Sequence, residues 1–212
     1  LNLEEELNEI AKIPNGFKPM ERLADSLEKK LTEKELEDVA FKLYLSEIYQ
    51  IRMFAVFLFG KLAAKNSDVL NFLKNNVSKD DNWRVQEIVG MAFDNFCKEI
   101  GYEEALETIK EWLNFDHYNT RRAVSEGLRI WTNRPYFKDN PDSAIHLLSS
   151  LRNDDSEYVR KSCGNALRDI SKKYPEKILV ELSLWQGSQK ELQIEKSILK
   201  NKKLLDLSKI HK

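Results

Sequence analysis

The stretch Thr120–Trp131, TRRAVSEGLRIW, reads as a helix whose small residues Ala123, Ser125 and Gly127 allow a neighbouring helix to approach closely. Similar segments lie on both sides of it: IRMFAVFLFGKLA from Ile51, VQEIVGMAFDNF from Val85 and VRKSCGNALRDI from Val159. Set in register on Ile51-Arg52, Val85-Gln86, Thr120-Arg121 and Val159-Arg160, they place a polar residue at 52, 86, 121 and 160, in steps of 34, 35 and 39. A period of about 35–40 residues is the mark of a helical repeat solenoid, in which each unit buries its apolar stripe only by stacking on its neighbours. The fold class expected is therefore all-α.

The surrounding composition agrees. Of 212 residues, 42% are hydrophobic and 33% charged, with only 7 Gly and 5 Pro, which favours packed helices over disorder. No apolar run approaches the roughly 20 residues that span a bilayer. Met53–Gly60 is a short core run, and no membrane association is expected. No secretory apolar segment stands ahead of Glu4, and Leu1 is not an initiator methionine, so a trimmed end is expected. Cys97 and Cys163 are isolated from one another, which suits a reducing cytoplasm and offers neither a disulfide framework nor a metal site. They are expected as small buried hydrophobes. Net charge is −1, but it is unevenly spread. Residues 116–212 hold 19 Lys and Arg against 13 Asp and Glu, and residues 1–115 hold 15 against 22. That asymmetry points to a basic working face on the C-terminal part, with chance differences between solvated helix faces as the alternative.

No segment alternates with period two between hairpin turns, so no sheet is expected. Pro14-Asn15-Gly16 ends a first amphipathic helix, and Thr32 with Glu35 makes a capping box for a third. Asn66-Ser67 recaps the chain, and Asn140-Pro141 supplies an N-cap and an N1 proline. A helix is expected to begin at Tyr102, a loop to fill Asn133–Asn140, and a lysine-rich helical end to follow Gln186-Gly187-Ser188. The whole is read as a single repeat domain, with capping helices in 1–47, repeats lining a concave groove in 48–185, and a helical cap in 186–212.

Next to the polar repeat positions stand Met53, Glu87, Arg122 and Lys161, at equivalent places on neighbouring inner helices. Trp83 precedes Glu87 by four residues and shares its helix face. Asn165 and Arg168 follow Lys161 on one face at spacings of four and seven. The expected groove holds one carboxylate, one tryptophan and the cations Arg122, Lys161 and Arg168. Other readings stand beside this one. Glu87 could pair with Arg122, Trp83 could be core, and Arg121 and Arg160 could bond carbonyls or acids of the preceding repeat, such as Asp80 or Asp116. His117 and His146 are read as surface residues. Ser125-Glu126-Gly127 has no preceding strand and is not a nucleophile elbow. Common nucleotide and metal motifs are missing.

On TRRAVSEGLRIW and DSEYVRKSCGNALRDISKKYPE the chain resembles the HEAT-like repeat DNA alkylation repair glycosylases, the AlkC/AlkD group, over roughly Leu43 to Trp185. The resemblance implies a right-handed superhelical solenoid with a basic concave face for duplex DNA, and excision of N3- and N7-alkylated purines. By it, Trp83 matches the first site tryptophan, Glu87 stands where the site carboxylate stands, and Arg122 matches the site arginine. These three are the expected catalytic residues. A second site tryptophan is replaced by Asn165, an AlkC-like state, and Trp131 is the residue that would substitute for it. Lys161, Asn165, Arg168 and Trp131 are the expected DNA-binding residues.

The chemistry suits those residue types. An N3- or N7-alkylated purine is cationic and leaves without prior protonation, so the demand falls on stabilising an oxocarbenium-like sugar and placing a water. One carboxylate can serve both needs. A tryptophan face attracts the cationic base or sugar, and the cations would hold phosphates without reading sequence. No cofactor or metal is implied, and a monomer is expected. A non-enzymatic binder of DNA structure and a protein-binding HEAT adaptor are the competing functions.

Overall fold

The computed structural model describes residues 2–210, and every regular element among them is a helix. In order these are α1 (Leu3–Ala11), α2 (Lys18–Glu28), α3 (Glu33–Tyr44), α4 (Tyr49–Leu62), α5 (Ser67–Asn75), α6 (Trp83–Ile100), α7 (Leu106–Leu113), α8 (Tyr118–Gly127), α9 (Pro135–Asp139), α10 (Pro141–Ser149), α11 (Glu157–Ser171), α12 (Pro175–Ser183), α13 (Gln189–Ile198) and α14 (Lys202–Ile210). Short 3-10 turns occupy Val77–Lys79 and Trp131–Asn133. The fold is all-α and of the HEAT type. It divides into two compact units, Leu1–Ile100 and Gly101–Lys212.

In the first unit α4 is the core. Every residue from Met53 to Gly60 is buried, because α1, α2 and α3 pack on it as well as α6. A helix apolar on all sides requires that enclosure. Phe41, Phe59 and Phe72 meet edge to face with centroids 4.9–5.3 Å apart, joining α3, α4 and α5. At Gly60 the α4 backbone lies so close to α6 that an added Cβ would stand 2.9 Å from the Ala92 Cα.

In the second unit α8 packs on α7 and α11, and α11 also carries α10, α12 and α13. Of the small residues of the opening stretch, Ser125 sits in the helix contact expected of it. Ser125 and Ser162 are buried and share a 2.7 Å hydroxyl hydrogen bond between α8 and α11. Trp112, Trp131, Phe137, Leu128, Leu148 and Ile170 form the surrounding core.

The repeat register appears as backbone geometry. Arg52, Gln86, Arg121 and Arg160 each lie four residues after the residue preceding their helix, and each N–H closes the first turn onto that residue's carbonyl. Their side chains then fold back. Nη1 of Arg52 donates to the Ser46 and Glu47 carbonyls, that of Arg121 to Phe115 and Asp116, and that of Arg160 to Asp154 and Asp155. Gln86 makes the single equivalent bond, to the Asp80 carbonyl. The carbonyl partners agree with the expectation for Arg121 and Arg160, but the acids do not. Arg52 binds Asp80 and Asp81, and Arg121 binds Asp154, all from the following repeat. The guanidinium approaches its own loop with one edge, so the other edge faces the next loop.

Other details also depart from the sequence reading. The central helix ends at Gly127, not Trp131. The carbonyls there are claimed by side chains: Trp131 donates its indole N–H to Ser125, and Arg134 donates to Gly127 and Arg129. Residues 133–140 are not simply loop, since Pro135, a good first helical residue, opens α9. The helix expected from Tyr102 begins at Leu106. The Thr32–Glu35 capping box and the Asn66 cap are present. Asn140 precedes α10 but uses its side chain to close α9, donating to the Tyr136 carbonyl. Both cysteines are buried, and burial pushes the Cys163 thiol up.

Candidate nucleic-acid interface

The loop that launches α6 is held from below. Asp80, nearly buried, receives two hydrogen bonds from Arg52, at 2.9 and 3.0 Å, one from the Tyr44 hydroxyl at 3.1 Å and one from the Asn82 N–H at 2.9 Å. Burial acts to raise the Asp80 pKa, but the Arg52 and Asn82 donors outweigh it and hold the carboxyl below its ordinary value. Burial, with the Asp80 charge behind it, pushes the Tyr44 phenol up. Asn82 then caps α6 through a 3.0 Å bond from the Arg84 N–H.

Trp83 opens α6 and is 53% exposed, whereas Trp112 and Trp131 are 1% and 0% exposed. The reading of Trp83 as core is thereby set aside. Glu87 lies one turn further on and is also exposed. Two residues the sequence reading passed over complete this corner. The Arg84 guanidinium lies over the Trp83 ring, 4.4 Å from its centroid, and over the Tyr49 ring at 5.3 Å. A signal for Tyr49 was present: Tyr49, Trp83 and Tyr118 open α4, α6 and α8, so an aromatic recurs with the repeat period; none pointed to Arg84.

Within the second unit, Arg122 and Lys161 hold the same register on the packed helices α8 and α11. Arg122 is half-buried. Lys161 is exposed and bonded to Glu157 at 2.8 Å, a contact that raises its pKa. Asn165 and Arg168 follow on α11, both half-buried. Nearby, Tyr118 and Tyr158 stack at the starts of α8 and α11, 6.3 Å between centroids, and both are exposed. His146 is exposed, but His117 is half-buried against Tyr118. Trp131 does not fit the part expected of it. Fully buried against Phe137, with its N–H spent on a backbone carbonyl, it has no surface to offer DNA.

The helix ends carry a further bias. The first turns of α4, α6 and α8 contain no acidic residue, whereas α2, α5, α7 and α10 open with Glu21, Asp68, Glu107 and Asp142. Acids there complement the helix dipole, so the N-termini of α4, α6 and α8 lack an acidic counter-charge from their own first turns, while α11 in the same register has Glu157.

The candidate site of the first unit is thus an exposed tryptophan and an exposed carboxylate one turn apart on α6 of an all-helical repeat chain. The chain belongs to the DNA alkylation repair enzyme family, whose model matches residues 17–180. Its structure is similar to AlkD2 from Streptococcus mutans, with TM-score 0.89 and 50% identity over 92% of this chain and 94% of that one. It is less similar to the alkylpurine DNA glycosylase AlkC of Pseudomonas fluorescens, solved bound to DNA containing an abasic site analog. There the TM-score is 0.67 and identity 22%, over 89% of this chain and 55% of that one. The lean toward AlkC drawn from the C-terminal repeat is thus corrected in favour of AlkD2. A 90-residue stretch is 33% identical to the uncharacterized protein YhaZ of Bacillus subtilis (strain 168), covering 41% of this chain and 25% of YhaZ. Among the described residues, no helix is long and apolar enough to cross a membrane.

Proposed function

We propose that this protein is a monofunctional DNA glycosylase that excises cationic N3- and N7-alkylated purines by hydrolysing the N-glycosidic bond. The observation that carries the reading is Trp83 standing half-exposed at the start of α6 with exposed Glu87 one turn beyond it. A π face and a carboxylate so disposed suit a substrate that is itself a cation. Glu87 supplies negative charge to the oxocarbenium-like sugar and aligns a water for attack at C1′. The glycosidic electron pair leaves with the base, neutralising it, so no general acid is needed. Arg122 completes the catalytic set by family resemblance. Lys161, Asn165 and Arg168 contact phosphates, with Lys161 exchanging Glu157 for DNA. The protein acts as a cytoplasmic monomer on duplex DNA.

The test is incubation of the protein with methylated duplex DNA, followed by chromatography for free 3-methyladenine and 7-methylguanine. Release of either supports the reading. DNA binding without base release would assign the chain to non-enzymatic recognition of DNA structure.

A further inference from the structure

We infer that Arg84 is a positioning residue for Trp83, holding the indole against its own guanidinium, which also lies over the Tyr49 ring, and leaving the remaining indole surface open to a cationic ligand; this rests on the glycosylase reading above. The two side chains are neighbours in sequence, and successive helical residues point about 100° apart. Arg84 nevertheless brings its guanidinium over the Trp83 ring at 4.4 Å and over Tyr49 at 5.3 Å, both within the cation–π range of about 6 Å. Tyr49 is half-buried, and its hydroxyl makes only a long 3.4 Å contact to the Pro14 carbonyl. The order Tyr49, Arg84, Trp83 therefore links a half-buried ring to an exposed one.

Helix stability does not account for this arginine. It occupies the second position of α6, whose first turn contains no acid, and a cation there opposes the helix dipole. A planar guanidinium, unlike an ammonium, can lie flat on a ring. Covered by Arg84 yet still 53% exposed, the indole is restrained rather than buried. That restraint lowers the entropy lost when a base or sugar settles against it.

The test uses the full chain without DNA first. Acrylamide quenching of each protein is compared with its Trp83→Phe counterpart, so that the difference isolates Trp83. In Arg84→Gln the Trp83 quenching constant should rise about two-fold, as one covered ring face becomes two open ones. Arg84→Lys should fall between, keeping charge but not the flat stack. An unchanged Trp83 signal in Arg84→Gln overturns the inference. The second arm is single-turnover release of 7-methylguanine. Arg84→Gln should lower the rate by about ten-fold with DNA affinity nearly unchanged. A full rate despite freed Trp83 overturns the positioning role. If the unsubstituted protein releases no base, the glycosylase reading fails by itself, and quenching alone decides whether Arg84 holds the ring.

Discussion

Arg121 grips Asp154 across 33 residues of chain, Nε to Oδ2 at 2.6 Å and Nη2 to Oδ1 at 2.9 Å, while the same guanidinium closes on the carbonyls of Phe115 and Asp116. One side chain thus ties the loop entering α8 to the loop entering α11. Arg52 does the same for the loops entering α4 and α6, through Asp80. The Asp154 and Asp80 side chains are only 6% and 4% exposed.

Removing the cation leaves a carboxylate with little access to water. Arg121→Met should cost about 3–5 kcal/mol, the scale for breaking one side of a buried pair. Arg121→Met with Asp154→Leu should recover part of that loss. Chemical denaturation of the two variants measures the difference, and equal losses would mean the carbonyl bonds matter more than the charge pair.

Acid should weaken both units. Asp80, Asp169 and Glu191 are all held below their ordinary pKa values. Burial acts against the charge in each, and it is outweighed by Arg52 at Asp80, by Lys172 and Arg129 at Asp169, and by Ser188 and Arg152 at Glu191. The unfolded chain binds protons at these groups first, so stability rises with pH through this range. It should be intact above the unfolded values of about 4 and fall as pH drops toward the lower folded ones. Thermal melts between neutral pH and about pH 3 follow the loss, and Asp80→Asn should flatten the first unit's share.

Gly60→Ala tests how tightly α4 and α6 approach. Its Cβ would stand 2.9 Å from the Ala92 Cα and 3.0 Å from its Cβ, so the helices must separate. A loss of about 1–3 kcal/mol is expected from overpacking, against the slight gain Ala brings to an open helix position. Unchanged stability would show that the contact yields freely.

For the proposed chemistry, Glu87→Gln keeps the size and removes the negative charge. Excision should fall by roughly 10²–10³, the cost of losing one electrostatic stabiliser, with DNA affinity the same or higher. If Glu87 acts as an ion-pair partner of Arg122, the variant should melt lower and still excise. Full activity in Glu87→Gln rules out the mechanism.

Changing Arg122, Lys161 and Arg168 together to Ala should weaken duplex binding at every sequence. Each lost phosphate contact flattens the slope of log K against log salt by about 0.9. Titration at several salt concentrations gives that slope, and an unchanged value would place DNA elsewhere.

Helices, their period and their small-residue contacts were legible in the sequence because they depend on local spacing. An apolar stripe, a cap or a glycine reports its role within one or two turns, and the recurrence of Arg52, Gln86, Arg121 and Arg160 reports stacking. The same locality made Trp83 and Glu87 readable as one helix face. Which way a side chain spends itself was not legible, since that depends on what the fold brings within reach. Trp131 looked available for DNA, yet the turn after Gly127 swings it into the core, where its indole meets the Ser125 carbonyl. Arg121 was expected to look back along the chain, and the stacking of α8 on α11 offers it Asp154 ahead. Arg84 carried no signal in the sequence, and packing set Tyr49 and Trp83 beside its guanidinium. Spacing along the chain determined where the helices and their faces lie; long-range packing alone decided which of the aromatic and charged side chains on those faces remain open to a ligand.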